Sequence, residues 1–271
     1  MNPIRVGAVS YLNPKPLVYG LEEHAEEIDL CFDLPSRLAD RLNLGDLDVA
    51  LIPSIEAIAN PDYTILSDAC IGCRGPVWSV KLLSRVRASE IKTLALDEGS
   101  RTSRILGRII LSEQFGVKPE LTQLNMSDSW QDVSTDAVMI IGDRAMTIDS
   151  PEFPFVWDLG EAWNQWTGLP FVFAVWAARS DNQLQQHFDR LGWILSRARN
   201  RGIENIDKIA HSSATQYGLT EAVCHNYLST NLNFQLGDAE KQGLAAYFRY
   251  AADLNVIAPN LQLQFHDCQT A

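Results

Sequence analysis

Short apolar runs bounded by turn residues alternate with amphipathic stretches through the first part of the chain. The runs that predict buried strands here are residues 4–9, 30–34 and 49–52. Between the second and the third run, Pro35 suits the first position of a helix and Gly45 the position just after its last turn. This alternation of strands and helices predicts a parallel sheet covered by helices, and therefore an α/β fold.

Strand signals continue through the middle of the chain and then give way to helix. Residues 77–84, 137–141 and 172–177 have the pattern of strands, whereas residues from 182 onward carry mostly helical periodicity. We interpret this pattern as two α/β lobes. The predicted division places residues 1–88 in the first lobe, residues 89–172 in the second, and residues 173–271 in a return strand and helices that complete the first lobe.

The stretch TLALDEGSRTSRILGRIILSEQFG, residues 93–116, predicts a strand that runs directly into a helix. Ser100 suits the N-cap of this helix and Gly116 suits its C-terminal end. Free backbone N–H groups at the helix start, together with the hydroxyls of Ser100, Thr102 and Ser103, predict an anion site.

Two cations stand in the first turn of this predicted helix, where they oppose the helix dipole. Arg101 and Arg104 each cost roughly a few tenths of a kcal/mol there, so an anion is expected nearby. The candidates are the upstream carboxylates of Asp97 and Glu98, or a bound carboxylate or phosphate. The sequence leaves both alternatives open.

Three polar loops are expected to face one ligand crevice. In open α/β sheets the crevice lies beyond the carboxyl ends of the strands. The loops that follow predicted strands are residues 10–13, residues 53–54 and residues 100–103. The last of these loops belongs to the second predicted lobe, so the crevice is expected between the lobes.

Composition and charge exclude several classes of protein. A net charge of −12 disfavours a nucleic-acid surface, and an anionic ligand would therefore need a locally positive pocket. No apolar run approaches the roughly 20 residues of a membrane helix, and the first residues lack a signal-peptide pattern. Five cysteines, an odd number, argue against a secreted disulfide scaffold. We therefore expect a cytoplasmic protein without nucleic-acid or membrane partners.

Several candidate motifs have an ordinary structural interpretation. Cys70 and Cys73 form a lone CxxC, which favours small buried thiols over a metal or redox site. The chain has no GxSxG, GxxxxGK[ST] or GxGxxG motif, which argues against hydrolase, P-loop and Rossmann functions. Asn13 could make an Asx turn, Ser79 could be a satisfied strand serine, and Asp143 could cap a helix.

Several segments, in order and with matching spacing, resemble one known family. They are VGAVSYLNPKPLVYGL (6–21), LPSRLADRLNLGDLDVALIPSIE (34–56), CIGCRGPVWSVKLLS (70–84), LALDEGSRTS (94–103), IIGDRAM (140–146) and WTGLPFVFAVWAAR (166–179). The chain is similar, over residues 6–179, to the MqnA family, the chorismate dehydratases of the futalosine route to menaquinone. Pro14 departs from the small polar residue expected at its position, while Asn13 and Pro16 match.

This resemblance implies a fold like that of the type 2 periplasmic binding proteins, with two lobes and a ligand cleft between them. It also implies a reaction: chorismate loses its ring hydroxyl as water, together with the neighbouring ring hydrogen, and gives 3-(1-carboxyvinyloxy)benzoate. The resemblance implies no cofactor and no metal, because aromatisation drives the elimination.

The resemblance also implies residue roles. Asn13 and Ser79 are the expected catalytic residues, which hold the substrate and steady the leaving hydroxyl. The expected substrate-binding residues are Ser10, Ser54, Ser100, Arg101, Thr102, Ser103, Asp143, Thr167 and Gly168. No Glu or His in the matching segments is an obvious base, so we hypothesise that the substrate's enolpyruvyl carboxylate takes the proton. Glu56 and Asp143 are the next candidates.

Two other functions compete with this interpretation. One is the sister MqnD enzyme, which shares the fold and acts on cyclic dehypoxanthine futalosine; the strings DEGSRTS and WTGLPFVFAVW favour MqnA. The other is a non-catalytic protein that binds a small anion, as a solute receptor or a ligand sensor. A receptor would be expected to carry a signal peptide, and a sensor an output domain.

Overall fold

A computed structural model describes residues 3–148, 150–180 and 184–266, and its strands form two separate sheets. The strands are β1 Ile4–Val9, β2 Ile28–Asp33, β3 Val49–Pro53, β4 Tyr63–Cys73, β5 Val80–Ser84, β6 Thr93–Asp97, β7 Glu120–Leu124, β8 Ala137–Ile141, β9 Phe155–Asp158, β10 Phe171–Arg179, β11 Asn233–Gln235 and β12 Gln264–Phe265. The α-helices are α1 Pro35–Leu44, α2 Ser54–Ala59, α3 Arg101–Phe115, α4 Leu159–Thr167, α5 Phe188–Glu204, α6 Ile206–Ser213, α7 Glu221–Asn226 and α8 Asp238–Asp253.

The first sheet has the strand order β2-β1-β3-β10-β4-β11, and β12 also pairs with β4. β1 lies parallel to β2 and β3, as the alternating pattern predicts, whereas β10 runs antiparallel to both β3 and β4. β10 therefore lies between β3 and β4, in the interior of the sheet, although it comes after all the strands of the second sheet along the chain.

The second sheet has the order β7-β6-β8-β5-β9. β6 is parallel to β7 and β8, and β5 is antiparallel to β8 and β9. Sheet membership changes between Cys73 and Val80 and again between Asp158 and Phe171. The division of the chain into lobes at residues 88 and 172 stays a prediction.

Local signals placed many of the elements correctly. The bounds of β1 and β8 match the predicted strands, and α1 ends at Gly45, which adopts the left-handed conformation at its C-cap. The predicted strand-to-helix unit is confirmed as β6 and α3. The side chain of Ser100 accepts the N–H of Ser103, and Gly116 ends the helix with φ 68°.

The long central strand β4 is absent from the sequence prediction. Ser67 and Asp68 interrupt its apolar pattern, and both are satisfied by α5, far along the chain. Ser67 Oγ lies 2.9 Å from Ser196 Oγ, and Arg199 contacts Asp68 at 3.1 Å. Polar residues inside a buried strand obscure its periodicity when their partners are remote.

The described residues contain neither a helix that could span a membrane nor a cluster of metal-ligating side chains. None of the helices in residues 3–148, 150–180 and 184–266 is long and apolar enough to serve as a membrane span. Within the same ranges, no three His, Cys, Asp or Glu side chains converge as a metal ion would require.

Candidate active site

A small cavity lies between the two sheets, where the carboxyl ends of β1, β3, β6 and β8 meet. Its lining residues are Val9, Tyr11, Asn13, Pro35, Pro53, Ile71, Val77, Ser79, Val80, Ser100, Ser103, Ile141, Gly142, Phe173 and Ala174. The cavity measures about 40 Å³, far less than the roughly 300–1,000 Å³ of typical ligand pockets. The cleft is therefore nearly closed in this structure.

The described lining of this cavity carries no charged side chain. Its polar groups are the amide of Asn13, the phenol of Tyr11 and the hydroxyls of Ser79, Ser100 and Ser103. Apolar walls from Pro53, Phe173 and the other aliphatic residues surround them. An apolar pocket with a few convergent neutral donors and acceptors is typical of a site that orients a small molecule.

Asn13 presents an unused acceptor to the cavity. It stands between β1 and a 3₁₀ turn, Lys15–Val18, where the prolines at 14 and 16 restrict the backbone. Its Oδ1 is buried and has no hydrogen-bond partner among the described residues. A buried carbonyl oxygen without a partner costs about 1–3 kcal/mol, so a ligand hydroxyl that donates to it would be favoured.

Ser79 lies on the segment that crosses from the first sheet to the second, and it is 2% exposed. Its Oγ accepts a hydrogen bond of 2.8 Å from the hydroxyl of Tyr227. The backbone just before it is unusual, because Trp78 has φ 67° and the carboxylate of Asp158 accepts the N–H groups of Val77 and Trp78. Ser79 is thus held from both sides.

The start of α3 contributes Ser100 and Ser103 to the cavity, whereas Thr102 has another role. The Oγ atoms of Ser100 and Ser103 lie 3.0 Å apart and face the cleft. Thr102 Oγ1 accepts the N–H of Ile55 at 3.3 Å and lies 3.4 Å from Ser54 Oγ. Ser54 in turn donates to the carbonyl of Val172 at 2.9 Å, so this pair joins α3 to the first sheet.

The anionic partners of Arg101 in the structure are not the upstream carboxylates of Asp97 and Glu98. Its guanidinium bonds Asp40 of α1 at 2.8 Å and lies 3.4 Å from Glu56 of α2. Asp97 instead pairs with Arg144 and is fully buried. Arg101 therefore links the two sheets outside the cavity lining, and we leave it out of the proposed site; Glu56 is likewise engaged away from the cavity.

A loop of the first lobe is clamped to the second lobe beside the cavity. The ring of Tyr11 lies against Gly142, where an added Cβ would come within 3.0 Å of it, and the Leu12 N–H donates to Asp143 Oδ1 at 3.2 Å. Burial raises the pKa of Asp143 to about 6, while the Leu12 N–H and the nearby Lys15 act to lower it. Burial also raises the pKa of Tyr11.

The remaining predicted substrate contacts lie elsewhere. Ser10 is exposed, and its backbone N–H bonds the carbonyl of Asp33. Thr167 ends α4 by donating to the carbonyl of Trp163, and Gly168 is the exposed left-handed C-cap of that helix. None of these three residues lines the cavity, so a role in binding stays a prediction that the closed geometry does not support.

The thiols of the lone CxxC lie inside the first sheet. Cys70 and Cys73 are fully buried on β4, and burial raises the pKa of both thiols. A thiol kept protonated in an apolar environment is a poor nucleophile and metal ligand. Their position agrees with the interpretation as small buried residues.

Sequence reasoning missed two tyrosines of the site. Tyr11 stood inside a predicted crevice loop, residues 10–13, so its place in that loop was an available signal. Tyr227 had none, because it reaches Ser79 from a helical region 148 residues further along the chain.

Comparison of the whole fold with solved structures places it among the periplasmic-binding-protein-like folds. A protein of Archaeoglobus fulgidus matches with a TM-score of 0.75 at 17% identity, covering 94% of this chain and 99% of the other. The periplasmic aliphatic sulphonate binding protein SsuA of Escherichia coli matches with a TM-score of 0.66 at 18% identity. The match covers 97% of this chain and 96% of SsuA. At such identities the likeness concerns the fold alone, and it confirms the predicted two-lobed α/β architecture.

Sequence comparison adds the family. The chorismate dehydratase of Thermus thermophilus is 28% identical over 268 residues, which covers 91% of this chain and 94% of the relative. The profile of the family described as menaquinone biosynthesis matches residues 4–253, nearly the full described length. The chain belongs to this menaquinone biosynthesis family.

Proposed function

We propose that this protein is a chorismate dehydratase, which removes water from chorismate to give 3-(1-carboxyvinyloxy)benzoate. The family match and the relative of that name support the reaction class. The observation that carries the proposal is the neutral cavity lining. It includes Asn13 and Ser79, and none of its described residues has a charged side chain.

Asn13 and Ser79 can each form a hydrogen bond with the departing hydroxyl. The unpaired Oδ1 of Asn13 can accept from the ring hydroxyl, which fixes the orientation of the substrate. Ser79 can donate to the same oxygen as the carbon–oxygen bond breaks. Donors placed in advance at an oxygen that gains negative charge stabilise the transition state.

The substrate's own carboxylate is the proposed proton acceptor. A base must lie within hydrogen-bond reach of the proton that it removes. None of the described lining residues is a carboxylate or an imidazole, and Glu56 pairs with Arg101. Asp143 lies next to Gly142 and its Oδ1 already accepts the Leu12 N–H. The enolpyruvyl carboxylate of chorismate would reach the neighbouring ring hydrogen without help from the protein.

The second carboxylate of chorismate is proposed to face the start of α3. Ser100 and Ser103 offer hydroxyls there, and the positive end of the helix dipole favours an anion. The buried carboxylate of Asp97 nearby is neutralised by Arg144, so it does not repel the substrate. The proposal also retains the cytoplasmic location that we expect from the sequence.

The test is incubation of the purified protein with chorismate, followed by mass spectrometry. We expect the loss of one water and a product with an aromatic absorbance. An unchanged substrate would reject the proposal, and tight binding without turnover would favour a non-catalytic anion-binding protein. Turnover of cyclic dehypoxanthine futalosine instead would identify the sister activity.

A further inference from the structure

The helical region near the C-terminus contains none of the segments that carry the family resemblance, yet one of its turns contacts the proposed site. This turn, Tyr227–Asn231, is a π-helix that continues directly from α7. Tyr227 is fully buried, and its hydroxyl donates to Ser79 Oγ at 2.8 Å. Asn231 Nδ2 donates to the carbonyl of Pro76 at 2.9 Å. The π-helical turn therefore binds the segment between the two sheets at two points, Pro76 and Ser79.

The gripped segment is strained between those two points. Trp78 has φ 67°, a left-handed conformation that is uncommon for a residue other than glycine. Such conformations cost about 1–3 kcal/mol and persist when the surroundings impose them. Asp158 holds the N–H groups of Val77 and Trp78 on one side, and the ring of Tyr227 tilts against Trp78 at 5.9 Å on the other.

The direction of the Tyr227 hydrogen bond determines what Ser79 can do. A serine oxygen accepts hydrogen bonds and donates one. Because Tyr227 donates to Ser79 Oγ, the hydrogen of Ser79 must point elsewhere. Within the described structure, its alternatives are the carbonyl of Val77, at the limiting distance of 3.5 Å, and the cavity. Burial raises the pKa of Tyr227, so its hydroxyl keeps the proton that it donates.

We propose that Tyr227 is a positioning residue that turns the hydroxyl hydrogen of Ser79 into the cleft, where it meets the departing hydroxyl of the substrate. This inference rests on the proposed dehydratase function. The π-helical turn supports the geometry, because residues four apart on it reach both sides of the strained Trp78. Such turns are rare and often occur at functional sites.

A double-mutant cycle tests the inference through catalysis. Tyr227→Phe keeps the ring and removes the donor, so we expect kcat to fall roughly tenfold with little change in KM, the scale of one hydrogen bond. In the Ser79→Ala background the same substitution is expected to change kcat less than twofold. Equal losses in both backgrounds would mean that Tyr227 acts independently of Ser79, and they would overturn the inference.

A control and a second measurement separate this inference from the proposed function. Tyr63→Phe removes the hydroxyl of another buried tyrosine, outside the cavity lining, and is expected to leave kcat unchanged. A crystal structure of the Tyr227→Phe variant needs no activity: Ser79 Oγ is expected to turn toward the Val77 carbonyl. An unmoved Ser79 hydroxyl would contradict the inference, whereas a wild type inert toward chorismate would contradict the proposed function.

Discussion

At the scale of single residues, the site depends on polar atoms that the fold leaves without ordinary partners. Asn13 Oδ1 is buried and unpaired among the described atoms, and the Ser79 hydroxyl has a long contact to Val77 as its alternative to the cleft. Both residues line the same cavity. An unpaired buried group such as Asn13 Oδ1 calls for an explanation, and the explanation that we propose is a bound ligand.

Replacing either residue should slow the reaction without unfolding the protein. For Asn13→Ala and Ser79→Ala we expect kcat to fall on the order of a hundredfold, the scale of one preorganised hydrogen bond. Ser10→Ala is the matched control, because Ser10 is exposed and outside the lining. Steady-state kinetics with chorismate, together with thermal unfolding, gives both quantities. Normal turnover in either variant would remove that residue from the mechanism.

The substrate-assisted step is tested by changing the substrate. A chorismate analogue with its enolpyruvyl carboxylate converted to an amide lacks the proposed base, so its dehydration by the wild type should be barely detectable. Competition with chorismate shows whether the analogue still binds. If the analogue reacts at a near-normal rate, the base belongs to the protein, and Asp143 becomes the first candidate.

Asp143 predicts a pH dependence of stability. Its pKa is raised to about 6 by burial, so the folded state favours the protonated form. Burying the ionised carboxylate lowers the free energy of unfolding. This loss is fully present above pH 6 and disappears as the pH falls toward the ordinary carboxyl pKa of 3.8. Asp143→Asn should therefore stabilise the protein at pH 7–8 by on the order of 1–2 kcal/mol, allowing for partial exposure, with no gain below about pH 4.

Urea unfolding at several pH values measures this change in stability. Asp136 provides a control of opposite sign. The pKa of Asp136 is lowered, chiefly by the N–H of Lys92, so its ionised form is favoured in the folded state. Asp136→Asn should therefore destabilise the protein at pH 7. If the stability of both variants responded to pH in the same way, the local environments would not determine the pKa values of the two carboxylates.

At the scale of elements, close helix packing fixes the first-lobe loops. α5 packs against the 3₁₀ turn Lys15–Val18, which directly follows Asn13, and a Cβ added at Gly202 would lie 2.0 Å from the Pro16 carbonyl oxygen. Glycine is required here for a close approach of two backbones. The packing of α5 thereby contributes to the placement of Asn13.

Gly202→Ala should destabilise the protein although alanine is the better helix former. The clash is with backbone, which cannot move aside cheaply, so we expect a loss of about 1–3 kcal/mol that exceeds the helix gain of about 1 kcal/mol. Gly107→Ala in α3 is the matched control, because its nearest atom would be Met139 Sδ at 3.5 Å. Urea unfolding compares the two, and equal effects would contradict the packing argument.

At the scale of the whole molecule, the closed cleft implies motion. The cavity of about 40 Å³ is small beside the roughly 300–1,000 Å³ of typical ligand pockets, so we expect the lobes to separate when the substrate enters. The contacts that would break include the Leu12–Asp143 hydrogen bond and the ion pairs of Arg101 with Asp40 and Glu56. Each of these contacts joins a segment beside the first sheet to a segment beside the second, so together they stabilise the closed orientation.

Removing the Arg101 ion pairs should favour the open form. Partly exposed ion pairs contribute up to about 1 kcal/mol, so Arg101→Ala should weaken substrate binding severalfold and raise the radius of gyration of the free protein. Arg37→Ala is the control, since Arg37 pairs with Asp33 inside the first lobe. Small-angle scattering with and without product measures the change. A hundredfold loss of affinity would instead mean that Arg101 contacts the ligand.

The sequence alone determined what depends on near neighbours. Ser100 and Gly116 bound α3, and Pro35 and Gly45 bound α1, because caps and turn residues act on adjacent backbone. The family resemblance predicted that Asn13 and Ser79 share one cleft, and both line the cavity, Asn13 after β1 and Ser79 just before β5.

Only the tertiary structure decided which remote groups meet. Arg101 bonds Asp40, 61 residues away, instead of the neighbouring Asp97 or Glu98. Leu12 and Asp143 are 131 residues apart, and Ser79 and Tyr227 are 148 apart. No local periodicity encodes such pairs, because they arise when two sheets and the C-terminal helices pack around one cleft. The chain pattern therefore specified the elements, and their packing selected the partners of the site.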